Sequence, residues 1–241
     1  MEPKNSVFHL DLIKHAICYL ISYFGLYAFY IILTLIASSF SSFGTLNEVV
    51  QNSILTTLAY GLTFVSIIIY LYNIALKDIL NQYKQIKNVL YGLLYGLGLL
   101  FGSVIVSAFC MQLGAILGID VGINENESSI QEAIAAQPVL TALMTVVFAP
   151  VTEEIGYRFG IFGGIHKYSR IGAYLATSLI FALIHFDFSS SNMANELLNL
   201  PSYIFAGVWL CLTYEKSGSI VTSITAHMTN NAVALIASLA S

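Results

Sequence analysis

Seven apolar stretches, at about 16–40, 54–76, 89–117, 138–165, 172–186, 197–214 and 219–239, leave this chain little choice of architecture. A helix needs ~20 apolar residues to cross the hydrocarbon core of a bilayer, and most of these stretches reach that length. In lipid the backbone must satisfy its own hydrogen bonds, so such runs become helices. Composition agrees: of 241 residues 57% are hydrophobic and 9% charged. An ordinary soluble domain carries ~25% charged residues. The expected fold is all-α, a polytopic membrane bundle of about seven transmembrane helices, with any active site inside the bundle.

Lysine and arginine set the orientation. Lys4 and Lys14 precede the first stretch. Lys77, Lys84 and Lys87 lie between the second and third, Lys167 and Arg170 between the fourth and fifth, and Lys216 between the sixth and seventh. The alternate connections hold neither residue and are acidic: Glu48 in the first, Asp120, Glu125, Glu127 and Glu132 in the next, Asp187 and Glu196 in the last. This alternation predicts a multi-pass cell-membrane protein with a cytosolic N-terminus and an outer C-terminus. The first stretch lacks a small-residue cleavage site at its end and reads as a retained span. The net charge of -4 and the scattered basic residues exclude nucleic acid as a partner. Cys18, Cys110 and Cys211 each lie in an apolar stretch without a CxxC spacing, so they read as packing residues and not as a disulfide or structural zinc set.

The longest connection, 118–137, carries Ser129-Ile130-Gln131-Glu132, a capping-box pattern that predicts a short surface helix. Pro138 fits the first turn of the span that follows. Gly92, Gly96, Gly98 and Gly102 in the third stretch, and Gly156, Gly160 and Gly164 in the fourth, have the spacing that lets helix backbones approach closely in lipid. Packing within one subunit is the preferred reading over a dimer interface, and the oligomeric state stays unknown. No repeat or linker divides the chain. Residues 1–137, three spans and an outer connection, and residues 138–241, four spans, read as two parts of one membrane domain.

The fourth stretch contains residues that lipid does not tolerate without a function: Pro150, Glu153, Glu154 and Arg158. Pro150 cannot donate to the Val146 carbonyl and so opens the helix. A break of this kind is tolerated beside protein or a water-filled cavity. Glu154 and Arg158 are i, i+4 partners and pair. Glu153 is worse placed for that arginine and is left as the carboxylate available for general acid–base work. His185 closes the fifth stretch, and His227 and Asn231 stand one turn apart on the seventh. Counted from the basic ends at ~1.5 Å per residue, Glu153 lies ~18 Å deep, His185 ~20 Å, His227 ~12 Å and Asn231 ~18 Å. The four fall in one slab of the membrane.

Glu153-Glu154-x-x-x-Arg158, Phe181-x-x-x-His185 and His227-x-x-x-Asn231 together resemble the signature of the CAAX protease and bacteriocin-processing family of intramembrane proteases, also called the Abi family and related to the prenyl-protein endopeptidases. The likeness covers about 138–239. It implies a peptidase working in a cavity within the membrane. Glu153 would be the general base that activates water with help from His185. His227 and Asn231 would stabilise the oxyanion, and Glu154 and Arg158 would order the site. Members of the family are often labelled metalloproteases. A zinc ion would take Glu153, His185 and His227, but the resemblance to the prenyl-protein proteases favours a mechanism without metal or other cofactor. The expected partner is a peptide precursor or a membrane-anchored protein substrate. Two other functions compete: a non-catalytic membrane scaffold that binds a partner, which need not keep all six motif residues, and a proton-coupled transporter, against which the absence of an inverted repeat counts.

Overall fold

The computed structural model describes residues 10–240. Lys4, one of the basic residues that orient the N-terminus, lies outside the described residues. Each apolar stretch is helical, and among the described residues the order is α1 (Leu12–Ala37), α2 (Glu48–Tyr72), α3 (Leu76–Tyr83), α4 (Ile86–Leu117), α5 (Glu125–Ala136), α6 (Pro138–His166), α7 (Arg170–Leu183), α8 (Met193–Ser217) and α9 (Ile220–Ala240). Six of these, α1, α2, α4, α6, α8 and α9, are long and apolar enough to cross a membrane. The fifth apolar stretch, read as a span, forms a helix shorter than those six. Its helix α7 has 14 residues, ~21 Å of rise against a hydrocarbon core of ~30 Å. The helix stops where Asp187, Ser189, Ser190, Ser191 and Asn192 begin, a run that needs water or protein partners.

The surface helix in the long connection exists but begins four residues before Ser129. Asn124 caps it, accepting from the Glu127 amide at 3.0 Å, and Glu125 and Glu127 sit in the first turn where the helix dipole favours them. Pro138 occupies the first turn of α6 as expected.

The connections sort by charge onto two ends of the bundle. At one end Glu196 accepts from the backbone amides of Glu125 at 2.9 Å and Asp187 at 3.2 Å, which ties two acidic connections together. At the other, Arg170 forks onto Glu215 at 2.6 and 2.8 Å, and His166 meets the same carboxylate. There too Ser219 donates to Gln82 at 2.8 Å, joining the α2–α4 connection to the α8–α9 turn.

Helix α6 stands at the centre. It packs against α1, α2, α7, α8 and α9 and is the most buried of the long helices. Glycines set how closely its neighbours approach. A Cβ on Gly96 would stand 2.6 Å from the Ala226 carbonyl oxygen, so α4 and α9 touch backbone to backbone. Gly98 and Gly102 make room for Trp209 and Phe205 of α8, and Gly156 and Gly160 bring α6 onto α1. These glycine spacings are thus used within the chain. Ile31, Leu35, Phe101, Ile105, Phe109 and Ile116 are exposed on the long helices, as a lipid-facing surface requires.

Candidate active site

The backbone of α6 departs from regular α geometry on both sides of Pro150. Over Leu143–Phe148 and again over Glu154–Phe162 its hydrogen bonds run from i to i+5, and the Ala149 amide reaches the Met144 carbonyl. Wide turns of this kind concentrate at functional sites. The next bond in that register would join the Pro150 nitrogen to the Thr145 carbonyl, and proline has no hydrogen to give. Asn231 of α9 fills the gap: its Nδ2 donates to the Thr145 carbonyl at 2.9 Å. Sequence reasoning put the orphaned acceptor at Val146, and the wide register moves it to Thr145.

Glu153 and Glu154 have different surroundings. Glu154 is fully buried. Its Oε1 lies 3.0 Å from Arg158 Nη1 and 2.9 Å from His227 Nδ1, and Ser223 donates to its Oε2. The side chains of Glu154 and Arg158 have no exposure, and the guanidinium lies 4.4 Å from the Phe181 ring centre. A buried pair of this kind holds only when other groups share the charge, and His227, Ser223 and Phe181 do so here. Glu153 retains 12% side-chain exposure and opens into a cavity. Tyr60 of α2 donates to its Oε1 at 3.3 Å, and His227 Nε2 lies 4.0 Å from its Oε2.

The two histidines are held through their Nδ1 atoms. Because a carbonyl only accepts, His185 Nδ1 donates to Phe181 O at 2.7 Å, which leaves Nε2 of the neutral ring as an acceptor. The ring stacks on Tyr203 at 4.7 Å. His227 Nδ1 faces the Glu154 carboxylate, which leaves Nε2 as the nitrogen turned toward Glu153.

Glu153, His185, His227 and Asn231 all line one cavity of about 480 Å³. Its walls come from α2, α4, α5, α6, α7, α8 and α9, so both halves of the chain build it. A smaller cavity of about 100 Å³, lined by α1, α2, α6 and the residues just after α7, shares Tyr60, Asn126, Glu153 and His185 with it. Glu154 and Arg158 stand behind this wall. In the cavity lining, burial raises the Glu127 carboxyl above its ordinary value, partly offset by the Gln131 amide.

Glu153 Oε2 and His227 Nε2 stand 4.0 Å apart, and His185 is tied through Nδ1 to a backbone carbonyl. Among the described residues no three His, Cys, Asp or Glu side chains are grouped to hold an ion.

Tyr60, Ser223, Thr145 and Tyr203 were not singled out by sequence reasoning. Ser223 had a signal, because it precedes His227 by one turn and extends the His227–Asn231 stripe. The two tyrosines had a weaker one, since a phenol in an apolar helix needs a hydrogen-bond partner. Thr145 contributes through its backbone, which no side-chain pattern reveals.

Residues 135–233 match the family model described as type II CAAX prenyl endopeptidase Rce1-like. No curated protein and no solved structure gives a significant match to the chain.

Proposed function

Since the chain belongs, through residues 135–233, to the CAAX protease family, we propose that it is an intramembrane endopeptidase that hydrolyses a peptide bond of a membrane-associated or precursor peptide. The observation that carries this reading is the unequal engagement of the two glutamates. Glu154 is consumed by Arg158, His227 and Ser223, while Glu153 faces the cavity beside His227 and Tyr60.

In this reading a water in the cavity loses a proton to Glu153 as its oxygen attacks the scissile carbonyl. The Nε2 lone pair of His185 accepts the water's second hydrogen and orients it. His227, held by Glu154, donates from Nε2 to the developing oxyanion. Asn231 gives one amide hydrogen to Thr145 and keeps the second for the same oxyanion. When the tetrahedral intermediate collapses, Glu153 returns its proton to the leaving amine. Arg158 holds Glu154 in place. No step uses a metal, and activity is expected to survive exhaustive chelation.

The test is Glu153→Ala in the intact membrane protein. Cell-associated peptides, compared with wild type by mass spectrometry, are expected to show uncleaved precursor at normal protein levels. Unchanged products from Glu153→Ala would remove Glu153 from the mechanism. Rescue of the cellular function by that variant would favour a scaffold instead.

A further inference from the structure

His185 stands just beyond the end of α7, where the helical ladder no longer holds the backbone. Its amide closes only a short turn, onto the Ala182 carbonyl at 3.1 Å. What holds the residue comes from segments far away in sequence. The Tyr203 ring of α8 lies flat on the imidazole, with centres 4.7 Å apart and planes within 19° of parallel. The Tyr203 hydroxyl is itself pinned: it donates to Asn124 Oδ1 at 3.2 Å and accepts from Asn126 Nδ2 at 3.2 Å. Asn124 is 3% exposed and serves three partners. Its Oδ1 caps α5 and receives the Tyr203 hydroxyl, and its Nδ2 reaches the His185 carbonyl at 3.5 Å. Glu196 fastens the same two segments by accepting from the Glu125 and Asp187 amides. The ring and the backbone of His185 are thus both tied to the start of α5, outside the three motifs.

We propose that Tyr203 and Asn124 are positioning residues, a clamp that holds the His185 imidazole in the plane and tautomer the reaction needs. The inference rests on the endopeptidase reading, in which Nε2 of His185 orients the attacking water. Rotation of the imidazole would drive its edge into the phenol ring stacked on it. With rotation blocked, Nδ1 keeps its proton on the Phe181 carbonyl and Nε2 stays the accepting nitrogen. Orientation matters because a displacement of about 1 Å at a reacting group can cost about 10²-fold in rate. Asn124 makes this arrangement depend on α5, a helix that also lines the cavity. A shift of α5 therefore loosens His185 and the cavity wall together.

The experiment uses the full-length protein in nanodiscs and two readouts. The first is the ¹⁵N spectrum of histidine-labelled protein, in which the His185 signals are those lost in His185→Gln. Wild type is expected to show a single neutral tautomer with the proton on Nδ1. Tyr203→Leu, which removes the stacked ring, should give a mixture of tautomers or broadened signals. Tyr203→Phe keeps the ring and should stay close to wild type. Asn124→Ser keeps a good helix cap but is too short to reach Tyr203 and His185, so it should fall between the two. The second readout is turnover of an internally quenched apolar peptide. In Tyr203→Leu kcat should fall about tenfold with KM within about twofold, and Tyr203→Phe should recover most of that loss. An unchanged His185 signal in Tyr203→Leu would overturn the clamp, whether or not wild type cleaves the peptide. A loss confined to KM would overturn the positioning role. Should Tyr203→Leu fail to fold, Asn124→Ser is judged by the same criteria. A disturbed His185 signal, with no cleavage of any peptide by wild type, would uphold the clamp and overturn the peptidase reading.

Discussion

At the scale of single residues, adjacent glutamates with the same side chain take different roles because of what reaches them. Glu154 meets a cation, an imidazole and a hydroxyl, and Glu153 meets the cavity. The i, i+4 spacing to Arg158 was enough to assign Glu154 from sequence. The spacing could not reveal Tyr60, because 93 residues separate it from Glu153. Tyr60→Phe removes one donor to the charged form of Glu153 and keeps the ring. It should lower kcat with little change in KM, because the phenol positions the carboxylate and the ring keeps its packing. An unchanged kcat would reduce Tyr60 to packing. Arg158→Ala leaves a buried carboxylate without its cation and should cost about 3–5 kcal/mol, seen as a lower melting midpoint in detergent. The same variant should be inactive even where it folds.

At the scale of elements, the wide turns of α6 connect sequence to site. Pro150 leaves the Thr145 carbonyl unsatisfied, and Asn231 reaches across from α9 to meet it. The proline was legible as a break, but the register of the break depends on how α6 is wound. Pro150→Ala restores an amide and should make Asn231 less necessary for folding. In a double-mutant cycle with Asn231→Ala, the two losses should be non-additive by at least about 0.5 kcal/mol. Additive losses would separate the two residues. The glycines act on the same helix from outside. Gly96→Ala pushes against the α9 backbone near His227 and should destabilise by about 1–3 kcal/mol and depress activity. Gly44→Ala meets nothing within 4 Å and is the neutral control.

At the scale of the molecule, charge divides the bundle into two ends, and the candidate site opens toward the acidic one. If lysine and arginine face the cytosol, the cavity mouth faces outward. The native cysteines are buried, so introduced ones report cleanly. Glu132→Cys should react with a membrane-impermeant thiol reagent in intact cells, and Lys84→Cys only after permeabilisation. The opposite pattern would turn the molecule over and place the mouth in the cytosol.

The sequence by itself determined the helical class, the segments that become helices and the pairing of Glu154 with Arg158. Apolar length, lysine and arginine alternation and helical spacing are local properties, and local properties are written in order along the chain. The tertiary structure decided the rest. It ended α7 before His185, turned His227 toward Glu154, gave Asn231 a backbone carbonyl to hold and brought Tyr60 to Glu153. Each of these depends on the rotation and depth of one helix against another. Close packing at Gly96 and the missing hydrogen of Pro150 fix that relation only once the bundle has formed.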